Sequence, residues 1–304
     1  MPNKNKRRSD LLRMLLLALV CTLVIAGCAP AQTDGAVARE EQSATAPTLA
    51  GEGAPNASDA PDGQATVSAE AVPDPRDQEF KVDPARTVWN FEAPANKTVY
   101  LTFDDGPSEN TRPVLDILDA YGIKATFFVT GMNPEYLPMI SECYKRGHTI
   151  GMHTYSHDYE QVYASVDAYW NDLGQIADVV REQIGYVPCF VRFPGGSSNT
   201  ISANYTAGIM SELAQEVVAE GYQYYDWDAS CGDGAVHTAD ELVDATIADT
   251  SYGYQSIVFL MHDGAAKETT VEALPRIIEY FASEGYEFAP IDRSTCVPHH
   301  GIGN

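Results

Sequence analysis

Beyond residue 96 the chain alternates short apolar runs with amphipathic stretches. Strand-like runs, rich in β-branched and aromatic residues, fall at 99–103, 125–129, 149–152, 190–193, 222–227, 257–261 and, more weakly, 286–289. Between them, apolar positions recur at helical spacing over 112–121, 135–146, 166–184, 208–220, 240–249 and 271–284. Asn133-Pro134 reads as a cap and first-turn pair for the second of these helices. Gly122, Gly147, Gly185, Gly221 and Gly285 each stand just past a helical run, where C-cap glycines belong. Such alternation predicts a parallel α/β fold. About seven repeats in roughly 200 residues fit a barrel-like arrangement better than a small open sheet, which the pattern alone leaves open.

The pattern changes before residue 96. A basic stretch (Lys4, Lys6, Arg7, Arg8, Arg13) precedes an apolar run at 14–26 that is too short for a comfortable membrane span. Ile25-Ala26-Gly27-Cys28 follows and resembles the bacterial lipobox, which implies a lipoprotein-type signal peptide over 1–28 with lipid on Cys28. An ordinary signal peptide or a short anchor helix remains the alternative, and each places the rest of the chain outside the cytoplasm. Residues 29–79 contain no Phe, Tyr or Trp. They cannot bury enough apolar surface to offset their ordering entropy, which predicts a disordered tether with a span of roughly 40 Å. The folded domain is expected over 80–304.

Charge and cysteines narrow the partners. A formal net charge of −24 leaves no basic patch to follow phosphates, which excludes a nucleic-acid partner. Outside the leader, Cys143, Cys189, Cys231 and Cys296 show no C-x-x-C spacing, so a thiolate zinc site is not expected. Disulfides and buried thiols are both open to them.

The polar residues at the strand ends carry the chemistry. Asp104 and Asp105 end the first run, His153 and His157 follow the third, and Arg192 closes the fourth. Asp228 follows the fifth and His262 the sixth. In a parallel barrel all strand C-termini open on one face, so these groups converge there. Two adjacent acids at the end of an apolar strand need a cation to neutralise them. His153 and His157 stand four apart and would share a face on a helical turn. With Asp105 they make two nitrogens and one oxygen, the open three-ligand set of a catalytic zinc-type site. Asp104 then becomes a base for an attacking water, held ionised by Arg192, and His262 an acid for a leaving group. Strand alternation would send Asp104 and Asp105 to different sides.

These motifs resemble the polysaccharide deacetylase (NodB-like, carbohydrate esterase) family. Thr102-Phe103-Asp104-Asp105-Gly106 is similar to its first motif and His153-Thr154-Tyr155-Ser156-His157 to its metal motif. Arg192-Phe193-Pro194-Gly195-Gly196 and Leu260-Met261-His262 are similar to two later ones, all in order, across about residues 96–292. The resemblance implies a distorted (β/α) barrel of about seven parallel strands and removal of N-acetyl groups from a polymeric amino sugar. It implies a divalent metal, usually Zn²⁺, on Asp105, His153 and His157. Asp104 would be the base, Arg192 its orienting partner and His262 the acid. The Gly195 N–H would meet the oxyanion, and Leu260 would shape the acetyl pocket.

Two departures stand out. Ser230 and Gly234 occupy positions where the family's fourth motif carries Asp and Trp, leaving Asp228 and Asp233 as candidate partners of His262. Gly195 stands where many members have an aromatic residue; Tyr155, Tyr159 and Tyr163 are candidates for sugar stacking instead. A tethered enzyme at a bacterial surface meets wall glycan first, so peptidoglycan is the expected substrate, with chitin-like or poly-N-acetylglucosamine polymers as alternatives. The rival functions are a metal-independent glycosidase using Asp104 and Asp228, and a non-catalytic glycan-binding module.

Overall fold

A computed structural model of the protein describes residues 93–304. The expected leader with Cys28, the expected linker and the first part of the expected domain lie outside the described residues.

The chain runs as β1 (Thr98–Asp104), α1 (Thr111–Tyr121), β2 (Thr126–Val129), a 3-10 turn (Pro134–Tyr136), α2 (Pro138–Lys145) and β3 (Thr149–Met152). Next come α3 (Tyr159–Val162), α4 (Val166–Ile184), β4 (Phe190–Val191), a second 3-10 turn (Ile201–Asn204), α5 (Ile209–Ala219) and β5 (Gln223–Tyr224). It closes with β6 (Ala229–Ser230), α6 (Ala239–Asp249), β7 (Ser256–His262), α7 (Glu268–Ser283) and β8 (Glu287–Phe288). All ladders are parallel, in the order β5-β4-β3-β2-β1-β7-β6, with β8 against the start of β1. The expected distorted barrel of about seven parallel strands is what forms, and β5 and β6 are the two ends of its strand path.

Most expected elements stand within a residue or two of their predicted bounds. Gly122 and Gly185 are left-handed C-caps. A capping box between Thr238 and Glu241 starts α6. One expected helix, over 135–146, is instead a 3-10 turn followed by α2. Pro138 has no N–H with which to continue the preceding turn, and it occupies the first turn of the new helix. The fifth run, expected as one strand over 222–227, pairs only at Gln223 and Tyr224. The short β6 follows it, and no apolar run announces that strand. No disulfide joins the four cysteines; Cys143, Cys189 and Cys231 are buried as thiols.

Two cores follow from strand alternation. Val99, Leu101 and Phe103 of β1 and Ile257, Phe259 and Met261 of β7 face the helices, in the larger cluster with Leu115, Phe127 and Phe281. Each such side chain contributes about 1.5–3 kcal/mol of burial free energy. The opposite faces carry Tyr100 and Val258, which join Phe128, Phe190 and Tyr225 in a smaller cluster inside the barrel. On that inner face, two and four residues beyond Tyr100, come Thr102 and Asp104; beyond Val258 come Leu260 and His262.

Candidate active site

Register puts the two halves of the site side by side. Asp104 is the last residue of β1 and pairs with His262, the last of β7. Asp104 is buried, and its Oδ1 accepts a hydrogen bond from Arg192 Nη1 at 2.8 Å. Arg192, just past β4, is fully buried. It also donates to Thr102 Oγ1 at 2.8 Å, Tyr225 O at 3.0 Å and Asp226 O at 3.0 Å, with its guanidinium 4.2 Å from the Phe128 ring centroid. A buried cation with four such bonds is held in one orientation. Burial raises the pKa of Asp104, while Arg192 and then His262 oppose that shift.

Asp105, His153 and His157 converge beside it. Their candidate ligand atoms all lie within 4.8 Å of one another. Asp105 Oδ1 is 3.6 Å from His153 Nε2 and 3.3 Å from His157 Nε2, and this buried oxygen has no hydrogen-bond partner. The Nδ1 of His153 is 2.8 Å from Arg192 O; a carbonyl only accepts, so Nδ1 carries the proton and Nε2 presents a lone pair. Burial first, and His157 second, hold His153 neutral, with a pKa of about 3. An orphaned carboxylate oxygen facing two imidazole nitrogens fits a divalent cation.

Two sequence expectations about this cluster are corrected. His153 and His157 share no helical face: their segment is a loop in which Thr154 and His157 have φ of 72° and 51°. What shapes the loop is Asp172 of α4, a buried carboxylate whose Oδ1 accepts from Tyr155 N (2.5 Å) and Ser156 N (3.1 Å) and whose Oδ2 accepts from Ser156 Oγ (2.6 Å). Nor does alternation part the two acids. Asp105 lies beyond the strand with φ of 69°, and the turn brings its carboxylate back to the cleft that Asp104 faces. Gly106 follows because a Cβ there would meet the buried Asp263 carboxylate at 2.3 Å.

Across the cleft, Asp233 is the partner of His262. Its Oδ1 is 2.8 Å from His262 Nδ1, while its Oδ2 accepts from His262 N and Thr270 Oγ1, each at 2.8 Å. Lys267 Nζ donates to the Asp233 carbonyl. Burial works against a charged imidazole, but the Asp233 bond and charge outweigh it, aided by Asp104 and Asp105, and raise His262 to about 9. Asp228, the other candidate, turns away and accepts from Val258 N at 2.8 Å.

The polysaccharide deacetylase family profile matches residues 92–211. A peptidoglycan-N-acetylglucosamine deacetylase of Bacillus cereus is 30% identical over 232 residues, covering 74% of this chain and 79% of that protein. The chain belongs to the polysaccharide deacetylase family. The catalytic domain of a peptidoglycan N-acetylglucosamine deacetylase from Eubacterium rectale superposes on this deacetylase with a TM-score of 0.69 at 42% identity, covering 73% of this chain and all of that one. A chitin deacetylase of Arthroderma benhamiae is 32% identical over 200 residues, covering 63% of this chain and 49% of that protein.

The deacetylase cleft has a volume of about 230 Å³ and brings together most of the residues that sequence singled out: Asp104, Asp105, His153, His157, Gly195, Leu260 and His262. Arg192 lies beneath its floor, against Asp104. Of the three candidate stacking tyrosines only Tyr159 lines the cleft. Tyr155 packs over Gly131, and Tyr163 is buried with its O–H donating to Pro194 O at 2.7 Å. Sequence reasoning missed Trp227 and Lys267 as wall residues and Asp172 as the loop anchor. No local signal marks any of them, because each reaches its place through a loop or a distant helix.

Proposed function

We propose that this deacetylase is a metal-dependent N-deacetylase of a polymeric amino sugar, with peptidoglycan as its substrate. The observation that carries this reading is the pairing across one cleft of the Asp104–Arg192 carboxylate and the orphaned Asp105–His153–His157 cluster with an imidazole charged through Asp233. Relatives named as peptidoglycan deacetylases support the choice of polymer. We also propose that lipid on Cys28 holds the enzyme at the outer face of the bacterial membrane, where that polymer lies.

Asp105, His153 and His157 would hold the ion, and the nitrogen-rich donor set suits Zn²⁺. Bound there, the ion supplies Lewis acidity in the cleft. Asp104, oriented by Arg192, takes a proton from the attacking water. The Gly195 N–H donates to the acyl oxygen as negative charge develops on it. His262, charged at neutral pH, gives its proton to the departing amine nitrogen. Water is thereby added across the amide C–N bond, leaving acetate and a free amine. Base and acid are kept apart in proton affinity by their different partners, Arg192 and Asp233.

The test is acetate release from peptidoglycan fragments and chitin oligomers, with and without a chelator. The wild type should release acetate, lose that activity on chelation and regain it with Zn²⁺. Asp104→Asn should retain metal while kcat falls by about 10²–10⁴. Acetate release that survives chelation would refute the metal dependence, new reducing ends without acetate would favour a glycosidase, and no acetate from either polymer would refute the proposal. Faster release from chitin oligomers would reassign the substrate.

A further inference from the structure

Tyr159 opens the short helix α3 and lines the cleft beside Asp105, His157 and Gly195. Its hydroxyl lies 2.3 Å from where a Cβ on residue 195 would stand, and Gly195 has φ of 76°. Any other residue at 195 would be strained in this conformation and would push the phenol away. Glycine therefore lets the hydroxyl rest against the backbone of residue 195. The ring is braced edge-on by His157 (centroids 5.8 Å apart, 75°) and by Tyr163 (5.5 Å, 71°). Tyr163 is itself tied to Pro194, the residue before Gly195. No described residue exchanges a hydrogen bond with the Tyr159 hydroxyl, so a braced, unpartnered O–H donor faces the cleft at the loop that carries the Gly195 N–H.

We propose that Tyr159 is a catalytic residue whose hydroxyl donates to the acyl oxygen of the acetamide beside the Gly195 N–H. This rests on the deacetylase reading above. Two donors converging on one oxygen stabilise the charge that grows there as water adds, and a bond of that kind strengthens from ground state to transition state. Its loss falls on kcat rather than KM. The phenol also fills the space that a side chain at residue 195 would take, so Gly195 and Tyr159 act as a matched pair.

Tyr159→Phe keeps the ring and its contacts with His157 and Tyr163 and removes only the donor. In acetate release, kcat should fall about 10- to 100-fold with KM within about twofold, as for loss of an oxyanion donor. Metal content and melting temperature should match the wild type. A second readout needs no turnover: a glycan analogue bearing a methylphosphonamidate in place of the acetamide presents an anionic tetrahedral phosphoryl group. Titration calorimetry should show the zinc-loaded wild type binding it at least about 10-fold more tightly than Tyr159→Phe. If the wild type releases no acetate from any glycan, the deacetylase reading fails while the calorimetry still judges Tyr159. A variant within about twofold of wild type in kcat or in analogue affinity overturns the proposal, as does a wild type that does not bind the analogue.

Discussion

Asp233→Asn separates the role of His262 from that of every other residue in the cleft. The substitution preserves size and one acceptor oxygen but removes the charge 2.8 Å from His262 Nδ1. In the wild type, burial opposes protonation of His262, and the Asp233 bond and charge reverse that to give a pKa of about 9. Without that charge only the weaker amide acceptor, Asp104 and Asp105 oppose burial, and the pKa should fall toward the ordinary imidazole value of 6.5. At 1.36 kcal/mol per pH unit, the change is worth ~3 kcal/mol of preference for the charged ring. A general acid works only while protonated, so the alkaline limb of kcat/KM should move from about pH 9 toward about 6.5. With the pKa at 6.5 the protonated fraction near pH 7.5 drops from nearly all to about a tenth, so acetate release should fall by up to about tenfold. The assay is the pH profile of acetate release, with the His262 ring protons followed by NMR. An alkaline limb that stays near pH 9 in the variant would refute the reasoning. Stability has a matching signature. The folded pKa of His262 lies above its unfolded value, so its contribution is fully present below about pH 6.5 and is lost as pH rises through about 9. The wild-type melting temperature should decline across that window, and the Asp233→Asn decline should be shallower.

Two further substitutions test what supports the site. Asp172→Ala leaves the Tyr155 and Ser156 amides without their acceptor, and Zn²⁺ affinity should weaken about 10- to 100-fold in competition with a chromophoric chelator. Unchanged affinity would mean that the His153–His157 loop holds itself. Arg192→Lys cannot reproduce the guanidinium's four bonds in a fully buried site, and chemical denaturation should show a loss of ~3–5 kcal/mol. A loss under ~1 kcal/mol would show that Asp104 needs only a nearby cation rather than a planar one.

The sequence by itself determined the alternation of strand and helix, most element bounds and the placing of Asp104, His153, Arg192 and His262 at strand ends. These are consequences of local periodicity: a period of two or of 3.6 is written within a few residues, as are glycine stops. Motif order also carried the family resemblance. Only the tertiary structure decided how those strand ends meet. The β1–β7 register sets Asp104 beside His262 across a separation of 158 residues, and Asp233 rather than Asp228 becomes the partner of His262 because Asp228 is drawn to the Val258 amide. The same holds for the left-handed turns at Asp105 and His157, for the Asp172 anchor and for the space above Gly195 that Tyr159 fills. A positive φ on a residue other than glycine costs free energy locally and persists only where distant groups hold it, so no local pattern foretells it.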